Sequence, residues 1–242
     1  TVAIYDYGRT PEGLFYFAME YLGGIDLDQL VRRFGAQPEG RVIHILRQAC
    51  GSLAEAHRIG LIHRDVKPAN IILTRRGGVC DLVKVLDFGL VAAAHPGAAF
   101  GPAPRDIVGT PHFMSPEAVE KPESATIQSD LYSLGAVGYW LLTGKTLFDS
   151  DTVEGLFSRQ VSSPPPPPAE RLGQPVSADL AELLLRCLAK QAAQRPASAE
   201  ALDQALAACA SAGTWTGRDA EQWWMQHLAD IETLPATVMS EK

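Results

Sequence analysis

Apolar positions along this chain change their spacing several times, and each change marks a change of structure. Thr1 to Tyr7 and Leu14 to Glu20 are short β-prone runs. Residues 8–13, GRTPEG, lie between them and carry the Pro and Gly of a turn, so the segment predicts a hairpin. From Pro38 the period becomes helical. Val42, Ile45, Leu46, Ala49, Leu53 and Ala56 follow the i, i+3, i+4, i+7 pattern, predicting a helix of about 20 residues that ends near Gly60. Ile71-Ile72-Leu73 and Val83-Lys84-Val85-Leu86, parted by Arg75-Arg76-Gly77-Gly78, predict two small strands.

Residues 91–104 are Ala, Gly and Pro with few anchors and predict a loop. Beyond them the chain is helical in character over 128–143, 152–161, 177–190 and 199–210. Ser177 and Ser198 are the expected N-caps and Gly144 the expected C-terminal stop. Ser162 to Pro168, SSPPPPP, reads as extended polyproline-like chain, because prolines in series cannot continue a helix. It is read as a stiff connector, with a docking ligand for a partner's aromatic groove as the alternative. No internal repeat is visible.

Composition narrows the class. The chain has 242 residues, 46% hydrophobic and 20% charged, as in an ordinary globular protein with a sizeable core. The formal net charge of −7 argues against a nucleic-acid partner, which needs a basic face. Cys50, Cys80, Cys187 and Cys209 form no C-x-x-C pair, so they read as free thiols in a reducing cytosol. The longest apolar stretch, Leu131 to Leu142, is broken by Ser133, Gly135 and Gly138 and falls short of the roughly 20 residues that cross a bilayer. The start, TVAIYDYG, carries neither Met nor a signal-peptide pattern and reads as a beginning in mid-domain. The expected location is cytoplasmic, with no membrane segment in this chain; nothing in the sequence sets an oligomeric state.

Two segments carry the chemistry, His63-Arg64-Asp65-Val66-Lys67-Pro68-Ala69-Asn70 and Asp87-Phe88-Gly89. With them the chain resembles the protein kinase family, whose catalytic loop reads H-R-D-x-x-x-x-N and whose metal-binding turn reads D-F-G. Phosphoryl transfer requires dense negative charge to be held in line and neutralised, so carboxylate, amide and ammonium groups must converge. The resemblance implies that Asp65 accepts the proton of a substrate hydroxyl and that Lys67 faces the γ-phosphate of ATP. It implies Asn70 and Asp87 as hard oxygen ligands of Mg2+. His63 and Phe88 would be packing residues, and Gly89 would free the backbone to turn.

The likeness extends over most of the chain. Residues 17–22, FAMEYL, resemble the hinge between two lobes, with Met19 as gatekeeper and Glu20 and Leu22 offering backbone groups to adenine. Asp26 would meet the ribose, and Ile72 would floor the base. Gly109 to Glu117 resembles the end of an activation segment, with Ser115 in place of the usual Ala. Glu117 would pair with Arg195, and Asp130 would anchor the catalytic loop. Lys67 with Thr110 implies serine or threonine on a protein substrate as acceptor. The Ala-rich composition and the tryptophan-bearing tail resemble bacterial eukaryote-like serine/threonine kinases. In that tail, Trp224, Leu228 and Ile231 share one helical face, expected to dock on the larger lobe, with partner binding as the alternative.

The implied fold class is α+β and protein-kinase-like, mainly the helical C-terminal lobe with a remnant of the N-terminal β lobe. The implied division is residues 1–22 for that remnant and the hinge, 23–212 for the helical lobe and 213–242 for a C-terminal extension. The sequence departs from the family in two ways. The glycine-rich phosphate loop and the lysine of V-A-I-K are absent from these 242 residues. Residues 88–109 contain no Ser, Thr or Tyr, so Arg64 lacks the usual loop phosphate, and Asp106 stands where a fixed carboxylate could serve it. The expectation is a fragment of a serine/threonine kinase, with a non-catalytic kinase-like scaffold as the alternative.

Overall fold

The computed structural model describes residues 4–10, 15–86 and 111–232. Strands β1 (Ile4–Arg9) and β2 (Phe15–Met19) form an antiparallel pair with Tyr7 opposite Phe17. The connection from β2 leads to β3 (Gly24–Asp26), the edge of a second antiparallel sheet ordered β3, β4 (Ile71–Arg76), β5 (Val79–Val85). Gly77 and Gly78 link β4 to β5 with φ of 58° and 82°, left-handed backbone that glycine adopts without strain. Along β5, Asp81, Val83 and Val85 point into the core and alternate with the less buried Cys80, Leu82 and Lys84.

Helices supply the body. Helix α1 (Leu27–Phe34) is capped by Asp26, and α2 (Glu39–Arg58) buries all six residues of its predicted apolar face. After the short α3 (Pro116–Glu120), helix α4 (Ile127–Thr143) runs through the centre, buried on nearly every side and stopped by Gly144 at φ 68°. Its glycines mark close crossings. A Cβ on Gly135 would lie 2.5 Å from Cβ of Cys187, and one on Gly138 would lie 2.7 Å from Leu184 and 2.8 Å from Leu46. The residues that interrupt the longest apolar stretch therefore let neighbouring helices pack against α4.

Helices α5 (Val153–Ser162), α6 (Pro168–Leu172), α7 (Ala178–Cys187), α8 (Ala199–Ala207) and α9 (Gly217–Glu232) complete the described chain. Two expectations need correction. Ser162 ends α5 and Pro168 opens α6, so the extended run is shorter than 162–168; a proline at the first helical position loses no intrahelical bond. Ser177 precedes α7 but makes no side-chain cap, because its hydroxyl donates to Glu39 instead. Ser198 does cap α8, through Ala201 N. The loop expected over 91–104 lies outside the described residues.

All four cysteines are unpaired, three of them buried. Among the described residues no helix is long and apolar enough to cross a membrane. The described residues are α+β, two small antiparallel sheets with a mainly helical body, as the sequence predicts.

Candidate active site

The segment joining α2 to β4 carries the H-R-D residues on a buried scaffold. Asp130, 1% exposed in the first turn of α4, accepts hydrogen bonds from the backbone N–H groups of His63 and Arg64, both at 2.9 Å. It accepts a third from His57 Nε2 at 2.8 Å. This carboxylate holds Arg64 in left-handed backbone, φ 67°, which a non-glycine residue adopts only where its surroundings compensate. His63 is buried. Its Nδ1 accepts from Asp65 N at 3.3 Å, so the proton sits on Nε2, which donates to Leu86 O at 2.7 Å. The ring therefore ties the loop to the end of β5.

On that scaffold Asp65 is exposed and its carboxylate is engaged from one side. Oδ2 accepts from Lys67 Nζ at 2.7 Å and from Asn70 Nδ2 at 2.9 Å. Asn70, buried in a 3-10 turn at Pro68–Asn70, also donates to Asp65 O at 2.9 Å, while its own backbone O accepts from Leu86 N. Both contacts use the amide nitrogen, which leaves Oδ1, a hard oxygen, for a cation. Asp65, Lys67 and Asn70 are thus brought together. Asp87, Phe88, Gly89 and Thr110 lie outside the described residues, as does Asp106.

Glu20, Leu22, Asp26 and Ile72 line one cavity of about 1120 Å³ between the β2–β3 connection and the outer face of the second sheet. Asp26 is buried, and burial raises its carboxyl above its ordinary value against the bonds it accepts from Gln29 N and Nε2, both 2.8 Å. Glu20 accepts from Lys84 Nζ at 3.0 Å, with Arg76 at 3.5 Å. Asp65, Lys67 and Asn70 are not part of this lining. Sequence reasoning missed Lys84 and His57. The alternation of β5 placed Lys84 on the face it shares with Leu82, which was a usable signal for the first.

Glu117 and Arg195 form a bidentate pair, Nη1 to Oε1 at 2.7 Å and Nη2 to Oε2 at 2.8 Å. Burial pushes the Glu117 carboxyl up, but hydrogen bonds from Arg195 and Ser129 outweigh it and hold the group at about 2. Arg195 also donates to the carbonyls of Ala189, Gln128 and Lys190. The pair pins α3 to the segment before α8.

The family model for the protein kinase domain matches residues 2–206. Serine/threonine-protein kinase pkn3 of Myxococcus xanthus is 40% identical over 212 residues, 86% of this chain and 38% of the relative. Serine/threonine-protein kinase PknB of Mycobacterium tuberculosis is 38% identical over 197 residues, 80% of this chain and 30% of the relative. The chain therefore spans well under half the length of these curated relatives. Among solved structures, residues 1–466 of Rad53 in complex with AMP-PNP align with a TM-score of 0.67 at 25% identity, covering 84% of this chain and 48% of that one. The Mycobacterium tuberculosis PknI kinase domain aligns with a TM-score of 0.62 at 27% identity, covering 85% and 70%.

Proposed function

The chain belongs to the protein kinase family, among relatives that are bacterial serine/threonine kinases, and from that premise we propose that the protein carrying it transfers the γ-phosphate of ATP to serine or threonine hydroxyls of protein substrates. The observation that supports this most is the convergence of Lys67 Nζ and Asn70 Nδ2 on one oxygen of an exposed Asp65. Asp65 accepts the proton of the substrate hydroxyl as its oxygen bonds to phosphorus and the bond to the β-phosphate oxygen breaks, releasing ADP. Lys67 compensates charge on the transferring group while keeping Asp65 oriented. Asn70 Oδ1 and Asp87 are the residues suited to magnesium, which supplies charge neutralisation across the phosphates.

The base end of the nucleotide belongs in the cavity lined by Glu20, Leu22, Asp26 and Ile72, with ribose toward Asp26. Thr110 and Lys67 are the residues on which the serine/threonine preference rests. Because residues 88–109 offer no hydroxyl, turnover is not switched by phosphorylation of that segment; Asp106 would serve Arg64 in its place, and an unchanged rate in Asp106→Ala would overturn that role. The reading is tested by incubating the intact protein with labelled ATP, magnesium and a generic protein acceptor, followed by phosphoamino-acid analysis. Label on serine or threonine, reduced roughly a hundredfold or more in Asn70→Ala, is the expected result. No label from folded protein would favour a non-catalytic scaffold.

A further inference from the structure

The family match ends at residue 206, yet residues beyond it are firmly anchored. Asp81 on β5 is fully buried, with φ 54°, and its carboxylate accepts four hydrogen bonds. Oδ1 takes Arg41 Nη2 and Trp224 Nε1, each at 2.8 Å; Oδ2 takes Arg41 Nε and Trp215 Nε1, each at 2.9 Å. The Arg41 guanidinium lies over the rings of Trp215 and Trp223, 4.9 Å and 3.8 Å from their centroids. Phe34 meets Trp223 edge to face. Half of the donors to a buried carboxylate thus come from the tail, so undocking it would leave Asp81 with Arg41 alone in a site that had excluded water.

This latch sets α9 against β5, where Trp224, Met225 and Leu228 line the same cavity as Glu20, Leu22 and Ile72. Trp224 is 2% exposed, whereas Met225 stands at the rim, 67% exposed. We propose that residues 213–232 form a latched wall of the nucleotide cavity, with Asp81 as the latch and Leu228 and Met225 as wall residues that help exclude water from the base end. Asp81 and Trp224 are positioning residues, since they act through the placement of α9. The inference rests on the reading of this cavity as the base end of an ATP site. Nucleotide affinity then depends on a segment outside the matched domain.

The test measures, in the intact protein, the affinity of a fluorescent ATP analogue with magnesium and the hydrogen exchange of residues 217–232. Trp224→Phe removes one latch bond; it should raise exchange across α9 and weaken nucleotide binding roughly fivefold. Leu228→Ala keeps the latch and should leave exchange unchanged while weakening binding about threefold, and Gln226→Ala on an exposed position should change neither. Affinities within about twofold of wild type in both variants overturn the wall and leave the kinase reading intact. A wild-type protein that binds no nucleotide while α9 stays protected overturns the kinase reading, and the wall with it.

Discussion

Asp130 shows how one buried carboxylate shapes a loop that presents Asp65 at the surface. It accepts from three N–H groups, and an amide at this position would turn an NH2 toward one of those donors. Asp130→Asn should lower turnover about a hundredfold through misplacement of Asp65, measured by initial rates on folded protein. Glu117 carries a different consequence. Its folded value of about 2 lies below the ordinary 4.5, so its contribution to stability is fully present above 4.5 and is lost as pH falls from 4.5 through about 2. Urea unfolding across that window should show the loss in wild type and lack it in Glu117→Ala. The same variant should cost about 3 kcal/mol near neutrality, because Arg195 keeps a buried charge with no carboxylate. The H-R-D and A-P-E-like signatures were legible because they are contiguous. The histidine's bond to Leu86 was not, since nothing in the sequence brings residues 63 and 86 together.

Helices built on a clear period were legible in position, though those expected over 177–190 and 199–210 stop at Cys187 and Ala207. The apolar face of α2 follows from spacing, whereas the two strands expected at 71–73 and 83–86 run longer, as Ile71–Arg76 and Val79–Val85, because backbone pairing continues past the apolar positions to the Gly-Gly turn. What periodicity does not see is a neighbour. Gly135 and Gly138 read as breaks in an apolar stretch, yet they are the points where α7 and α2 approach α4. Gly138→Val should destabilise the protein by about 3 kcal/mol, read as a drop in thermal midpoint with the fold retained. Ser177 was missed as a non-cap for a related reason: its hydroxyl has a competing partner, Glu39, far away in sequence.

At the scale of the whole molecule, the described tail residues, 213–232, contribute Trp224 and Ile231 to the core rather than forming an appendage. Three of the four tryptophans, Trp215, Trp223 and Trp224, lie in it, and the fourth, Trp140, lies on the central helix. Tryptophan emission and far-UV circular dichroism should therefore report one coincident urea transition; an earlier fluorescence transition would mean that the tail melts separately. The helical face of Trp224 and Ile231 was legible, but its anchor was not. Asp81 meets partners 40, 134 and 143 positions away, and only the folded chain brings them together. The central claim concerns Asp65, and the most direct measurement pairs single-turnover phosphoryl transfer with nucleotide affinity in wild type and Asp65→Asn. Unchanged affinity with transfer reduced roughly a thousandfold is the predicted result. Transfer at the wild-type rate in Asp65→Asn would contradict the account.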